Sequence, residues 1–170
     1  MFNHTYAISA CVLLSVAPSA FAEKLNITGE IMPTTCEVRA AAGTITVAMG
    51  RVELSSLNAG MRAGQKNFSI QLDCVGAGTA QEVGVRFGGV PDGSTGNLAL
   101  DAGSGAGNVG VALFDAAGNH QKIGEDPVQW VSIPAAGKGR LDYSAWYASP
   151  GQNATAGTAN ATGDFLVVYK

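Results

Sequence analysis

Side chains capable of covalent or metal chemistry are scarce in this chain. Its cysteines are Cys11, Cys36 and Cys74, and its histidines are His4 and His120. Nucleophilic catalysis needs a hydroxyl or thiol beside a base that a third group holds in place. His120 follows the turn residues Ala117-Gly118-Asn119, where an exposed surface histidine is expected, not an oriented base. Zinc requires clustered Cys and His, and calcium an Asp-rich loop. Neither pattern occurs, so no metal or cofactor is expected. Gly103, Gly105, Gly107 and Gly110 superficially resemble a phosphate-binding loop. Such a loop must follow a strand and open a helix, whereas here the pattern that follows is a strand. Trp130 and Trp146 could stack on a sugar, but packing is the commoner role of tryptophan in a β-domain. The sequons Asn26-Ile27-Thr28, Asn67-Phe68-Ser69, Asn153-Ala154-Thr155 and Asn160-Ala161-Thr162 are read as chance matches in an Asn- and Thr-rich chain. No catalytic residue is expected, and the chain does not read as an enzyme.

The remaining chemistry is oxidation. Ala7 to Ala17 is an apolar run too short to span a bilayer, followed by Pro18 and the Ala20-Phe21-Ala22 cleavage pattern. Residues 1–22 therefore read as a signal peptide, with one departure: no Lys or Arg precedes the apolar run, and only His4 and the α-amino group could carry positive charge there. Cleavage after Ala22 removes Cys11 and leaves Cys36 and Cys74 in an exported chain. A disulfide between them is expected in an oxidising compartment; the alternative is two separate buried thiols. The bridge would close a loop of about 39 residues, worth on the order of 4 kcal/mol in the chain-entropy treatment.

The elements that must carry these residues read as short strands. Aliphatic and aromatic residues make up 46% of the 170 residues, enough for one sizeable core and against disorder. Ten scattered Lys and Arg in a chain of net charge −3 form no basic stripe, which argues against a nucleic-acid partner. The 23 glycines point to many tight turns. Alternation is strict in Phe68, Ile70, Leu72 and Cys74, and recurs in Val83, Val85 and Phe87, in Val109, Val111 and Leu113, and in Leu141, Tyr143, Ala145 and Tyr147. Trp146 faces away from that last set. Leu25 to Thr28, Thr44-Ile45-Thr46-Val47 and Trp130 to Ile133 are further strand candidates, and Asn97 to Asp101 is a short one at most. One or two helical turns are allowed near Ser55 to Met61. Regularly spaced short strands with turn signals make an all-β sandwich or barrel, and Gly88 to Gly110 is its most irregular stretch.

The C-terminal segment alternates as Phe165, Val167 and Tyr169, with Gly157 fourteenth from the end. A last strand so placed is either a covered edge or the partner of something outside the chain.

These pieces, in order, resemble the chaperone–usher pilins of the type 1 fimbrial subunit family. The resemblance rests on Gly29-Glu30-Ile31 leading to Cys36, on Cys74 closing an alternating strand, and on Val83-Gly84-Val85-Arg86-Phe87-Gly88-Gly89-Val90. It continues through Asn108-Val109-Gly110-Val111-Ala112-Leu113-Phe114-Asp115 and Leu141-x-Tyr143-x-Ala145-x-Tyr147 to Gly157, Phe165, Val167 and penultimate Tyr169. It implies an incomplete immunoglobulin-like sandwich that lacks its seventh strand and is completed by a donor strand. Gly157, Phe165, Val167 and Tyr169 would form the acceptor groove and chaperone-recognition region, and residues 32–170 the pilin domain. Residues 23–31 would be the donor extension, with Leu25, Ile27 and Gly29 in step. Implied partners are a periplasmic pilus chaperone, an outer-membrane usher and neighbouring subunits in a head-to-tail polymer. The implied location is a surface fimbrium reached through the periplasm, with a role in cell adhesion. The donor side departs from the family: extensions are usually longer, and many carry a further glycine within the donor strand. A minor or tip-proximal subunit, a weak donor, or a different cleavage site would each account for that. The alternative function is a minor tip or terminating adhesin-like subunit that binds a host glycan. That glycan receptor is disfavoured, because the chain has no room for an added lectin domain.

Overall fold

A computed structural model describes residues 36–39, 43–75, 78–93, 95–151 and 153–170. The signal segment 1–22 and the expected donor segment 23–31, with Leu25, Ile27 and Gly29, lie outside the described residues. In chain order the elements are β1 (Glu37–Val38), α1 (Leu54–Gly60), β2 (Arg62–Asp73), β3 (Gln81–Gly88), β4 (Leu98–Ala99), β5 (Gly110–Asp115), β6 (His120–Gln121), β7 (Trp130–Ile133), β8 (Lys138–Ala148) and β9 (Asp164–Tyr169). Among the described residues they form two antiparallel sheets. The larger runs β1-β2-β8-β5-β4, with β6 added to β5, and the smaller runs β7-β3-β9.

The alternation predicts the register. Ile70 stands opposite Leu141 and Phe68 opposite Tyr143 in the β2–β8 ladder, so each apolar row faces inward together. Tyr143 also stands opposite Asp115 on β5. The inner face of the smaller sheet supplies Val83 and Val85. These two, with Ile70, Ile133 and Leu141, are wholly excluded from solvent, so the dry core lies between β2/β8 and β3/β7. Burying each such side chain contributes about 1.5–3 kcal/mol.

β2 enters through a bulge between Ala63 and Lys66. Gly64 within it has φ +75°, and a Cβ there would lie 2.4 Å from Val52 Cγ2, so both the backbone and the neighbour require glycine. The helical turns near Ser55 form α1, which ends at Met61 in the left-handed region. It buries Leu57. The Asn58 side chain pins it by bonding Ala154 on both groups, accepting from its N–H at 2.9 Å and donating to its C=O at 3.3 Å. Within the irregular stretch, only Leu98–Ala99 of the expected short strand pairs with a neighbour, and it does so with β5.

Two expectations need correction. Thr44 to Val47 was expected as a strand, but residues 43–52 have no ladder partner among the described residues. Their alternation survives: Ile45, Val47 and Met49 are half-buried, and Thr44, Thr46, Ala48 and Gly50 are exposed. Alternation records which face is covered; a ladder needs a second backbone alongside as well. His120 is not a free surface histidine. It forms β6 against β5, its ring lies 5.1 Å from that of Phe114, and Nε2 is buried without a partner among the described residues. Burial, with Lys122 nearby, holds its pKa below the usual histidine value.

Candidate functional site: an apolar groove at an open sheet edge

β9 pairs with β3 on one side, with Phe87 opposite Phe165, Val85 opposite Val167 and Val83 opposite Tyr169. The Lys170 N–H donates to the Glu82 C=O at 3.0 Å. In an antiparallel ladder this bond fixes the phase. Asp164, Leu166 and Val168 turn their peptide groups toward β3, while Phe165, Val167 and Tyr169 turn theirs toward the opposite edge. That edge has no strand partner among the described residues. The same three residues point their side chains inward, where they are half-buried and rest on the core. Leu166, on the outer face, is 60% exposed. The Phe165 ring lies 6.3 Å from Phe87, which meets Tyr143 edge-on at 5.0 Å.

Across from this edge runs the unpaired 43–52 segment. Ile45, Val47, Met49 and Val52 form the second wall. Between the walls lie three adjoining cavities of about 620, 360 and 570 Å³. The first and second share Tyr147 and Ala159, and the second and third share Phe68, Leu98 and Leu113, so they make one continuous trench. It begins where α1 faces Gly157 and reaches Phe165. Its lining is mostly hydrocarbon. Tyr147 contributes a hydroxyl that donates to the Ala159 C=O at 2.7 Å, and burial raises its pKa. Glu53 and Asp164 stand at the two ends of the trench, and its described lining holds no histidine or cysteine to make a nucleophile-and-base pair with them. It offers apolar surface beside a row of peptide groups that have no strand partner among the described residues, and both are costly to leave exposed.

The structure thus brings Phe165, Val167 and Tyr169 together on one strand. Gly157 lies apart from them on the loop before β9, at the far end of the trench. A Cβ there would fall 2.2 Å from the Gly105 carbonyl carbon and 2.3 Å from the Ala106 nitrogen, so glycine lets two backbones cross. The crossing is fixed by Gly105 and Ala106 N–H groups donating to Thr158 C=O, each at 3.0 Å. The sequence reading missed the wall Ile45–Val47–Met49. The signal was present as alternation, but the reading assigned it to a paired strand. Cys36 and Cys74 form the expected disulfide.

The two-sheet fold that frames this trench recurs in known proteins. Residues 25–170 match the family model described as fimbrial protein. This chain belongs to the fimbrial protein family. The fimbrial chain is 33% identical to a type-1 fimbrial protein subunit of Serratia marcescens, over 96% of each chain. It is 35% identical to protein LpfE of Salmonella typhimurium over the whole of both. Among solved structures, the P pilus rod subunit PapA superposes with a TM-score of 0.63 at 20% identity, covering 79% of this chain and 99% of that one. A type I fimbria protein of Burkholderia pseudomallei superposes at 0.55 with 30% identity, covering 79% and 88%. The fimbrial subunit therefore has an all-β, immunoglobulin-like pilin fold, and its family is one of structural proteins of the surface fimbrium.

Proposed function

We propose that this fimbrial subunit is assembled by donor-strand exchange, with the groove beside β9 as the acceptor. The observation that carries the reading is the coincidence of two deficits in one place. Phe165, Val167 and Tyr169 turn their peptide groups to an edge with no strand partner among the described residues, and an apolar trench walled by Phe165 runs on from that edge. An added strand satisfies both, its backbone pairing along β9 and its alternate side chains entering the trench; pilins are an established instance of such strand addition. A periplasmic chaperone supplies that strand first, an outer-membrane usher receives the complex, and the N-terminal extension of the next subunit then takes the chaperone's place. Head-to-tail contacts of this kind do not close on themselves and so give a fibre. On this reading residues 1–22 direct export, 23–31 are the donor strand with Leu25, Ile27 and Gly29 facing the neighbour's groove, and 32–170 are the accepting body. The chain passes through the periplasm to the cell surface, where the fibre supports adhesion.

Capture by the chaperone of its own fimbrial system tests the acceptor. Val167→Asp places a charge on the inward, half-buried face of β9, just beyond the trench wall at Phe165, and is expected to abolish the co-purifying complex, whereas Leu166→Asp, on the outer face of the same strand, is expected to leave it. Equal yields from the two variants would remove β9 as the acceptor edge. Appending residues 23–31 after Lys170 through a short Gly/Ser linker tests the donor. The appended chain is expected to melt several degrees higher, and a melting point no higher than the parent's would remove 23–31 as a competent donor.

A further inference from the structure

Tyr169 differs in one respect from the two inward residues before it on β9. Phe165 and Val167 end in hydrocarbon, while Tyr169 carries a hydroxyl across the interior to the other sheet. There it accepts the Cys36 N–H at 2.7 Å, and its own O–H lies 3.5 Å from the Cys36 C=O. Cys36 is itself firmly held. It is bridged to Cys74, the next residue begins β1, and β1 pairs Glu37 with Asp73 at the end of β2. The Cys74 N–H in turn donates to the Gly137 C=O at 2.9 Å. On its other flank the end of β9 is fixed to β3 through Val83 opposite Tyr169 and through the Lys170–Glu82 bond. The open flank of β9 has no ladder among the described residues, where the tyrosine hydroxyl supplies the hydrogen bond from β9 to the opposing sheet. The tie also stands beyond Phe165, the last β9 residue that lines the trench.

We infer that the Tyr169 hydroxyl is a clasp: it positions the open edge of β9 against the disulfide corner and closes that end of the groove. It is a positioning group and makes no contact of its own with an added backbone. The closing role rests on reading the groove as a strand acceptor, but the clasp itself does not. Three consequences follow. The disulfide steadies the acceptor edge through one hydrogen bond to a residue distant in sequence. The inward side chains of an added strand find room only as far as Phe165. The Cys36 amide reports on the end of β9.

Tyr169→Phe keeps the ring and removes the bond. In the mature chain with its disulfide intact, amide hydrogen exchange at Cys36 is expected to speed up about tenfold, the effect of leaving a part-buried N–H without its acceptor. Ile70 and Val85 amides, deep in the core, are expected to stay within about twofold, since a local opening leaves distant foldons unmoved. Unchanged exchange at Cys36 would overturn the clasp, as would an equal acceleration at every amide. A cycle with the Cys36→Ala/Cys74→Ala double variant then reads the coupling at the Val168 and Lys170 amides, which are the ones bonded to β3 at the end of β9. Removing the hydroxyl is expected to change those amides less once the disulfide is gone, and strict additivity would overturn the coupling. If the cysteine variant does not fold, Cys36 exchange in Tyr169→Phe decides alone. The groove reading is tested apart, by adding the synthetic peptide of residues 23–31 to the parent chain. Protection of the Phe165 and Val167 amides is expected. Its absence would count against that peptide as donor and leave the Cys36 result standing.

Discussion

β8 and β9 are built from the same kind of sequence and end in different states. Each places an apolar or aromatic residue at every second position, and each directs that row into the same interior. β8 has a ladder on both edges, to β2 and to β5, and its inward row of Leu141, Tyr143, Ala145 and Tyr147 is buried throughout. β9 has a ladder on one edge, to β3, and its inward row is only half-buried. The contrast shows that alternation makes a strand amphipathic but does not cover it. Cover comes from neighbours on both sides, and at β9 one neighbour is missing from the described chain.

The largest expected effects lie in this contrast. Leu141→Ala empties a site with no solvent exposure and is expected to cost about 3 kcal/mol, within the usual range for buried leucine. Val167→Ala removes less volume from a half-covered site and is expected to cost about 1 kcal/mol. Urea midpoints at constant slope measure both. The comparison sharpens when the groove is filled. In the chain carrying residues 23–31 after Lys170, the cost of Val167→Ala is expected to rise while that of Leu141→Ala stays put. If the Val167 cost is the same with and without the added strand, β9 is not the strand being covered.

How far this difference could be read from sequence follows from what each signal encodes. The paired strands β2, β3, β7 and β8 were legible because inward rows that face one another, such as Ile70 with Leu141, need the same two-residue period. The disulfide was legible because two cysteines remain once the leader is set aside. The groove was half legible. Phe165, Val167 and Tyr169 could be named from their alternation, but the facing wall could not, because Thr44 to Val47 alternates as a paired strand does. Only the absence of a ladder distinguishes it, and pairing is a property of two segments at once. Gly157 was picked out by position, while its physical reason, the crossing against Gly105 and Ala106, depends on a contact distant in sequence. His120 was misjudged for a similar cause: a turn precedes it, but Phe114 covers it. The clasp between Tyr169 and Cys36 has no local signature at all.

A smaller effect tests the far edge of the larger sheet, where β6 covers β5 and so supplies the kind of neighbour that β9 lacks. His120 is held below its ordinary pKa because burial disfavours the imidazolium, with Lys122 acting in the same sense and Asp92 and Glu125 opposing it. A group with a depressed folded-state pKa keeps its full contribution above its unfolded value, near 6.5. That contribution is lost as the pH falls through the folded value. Stability is therefore expected to decline on going from pH 8 to pH 5, and His120→Gln is expected to flatten that part of the profile. Asp73 does not confuse the test. The Arg39 side chain, bonded to its carboxylate, holds its pKa below the ordinary 3.8, so its own loss falls at more acid pH. An undiminished decline in His120→Gln would mean that β6 does not shield the ring.

The smallest effect concerns the closed strand itself. Tyr143 is 2% exposed, and its ring is engaged on two sides, edge-on to Phe87 at 5.0 Å and stacked on Phe68 at 5.8 Å. Its hydroxyl is buried with no hydrogen-bond partner among the described residues. Burial, with Asp115 nearby, pushes the phenol pKa well above its ordinary value, as expected for a group whose charged form has no support. Tyr147, on the same strand and lining the groove, has its hydroxyl satisfied by Ala159. Removing an unpartnered buried hydroxyl forfeits no bond and relieves a desolvation cost, so Tyr143→Phe is expected to leave stability within about 0.5 kcal/mol of the parent or to raise it. Denaturant unfolding of that single variant measures it. A loss greater than about 1 kcal/mol would mean that the hydroxyl is bonded in solution, with a buried water as the available partner. The closed face of β8 would then carry a polar contact of its own, and its difference from β9 would no longer be one of neighbours alone.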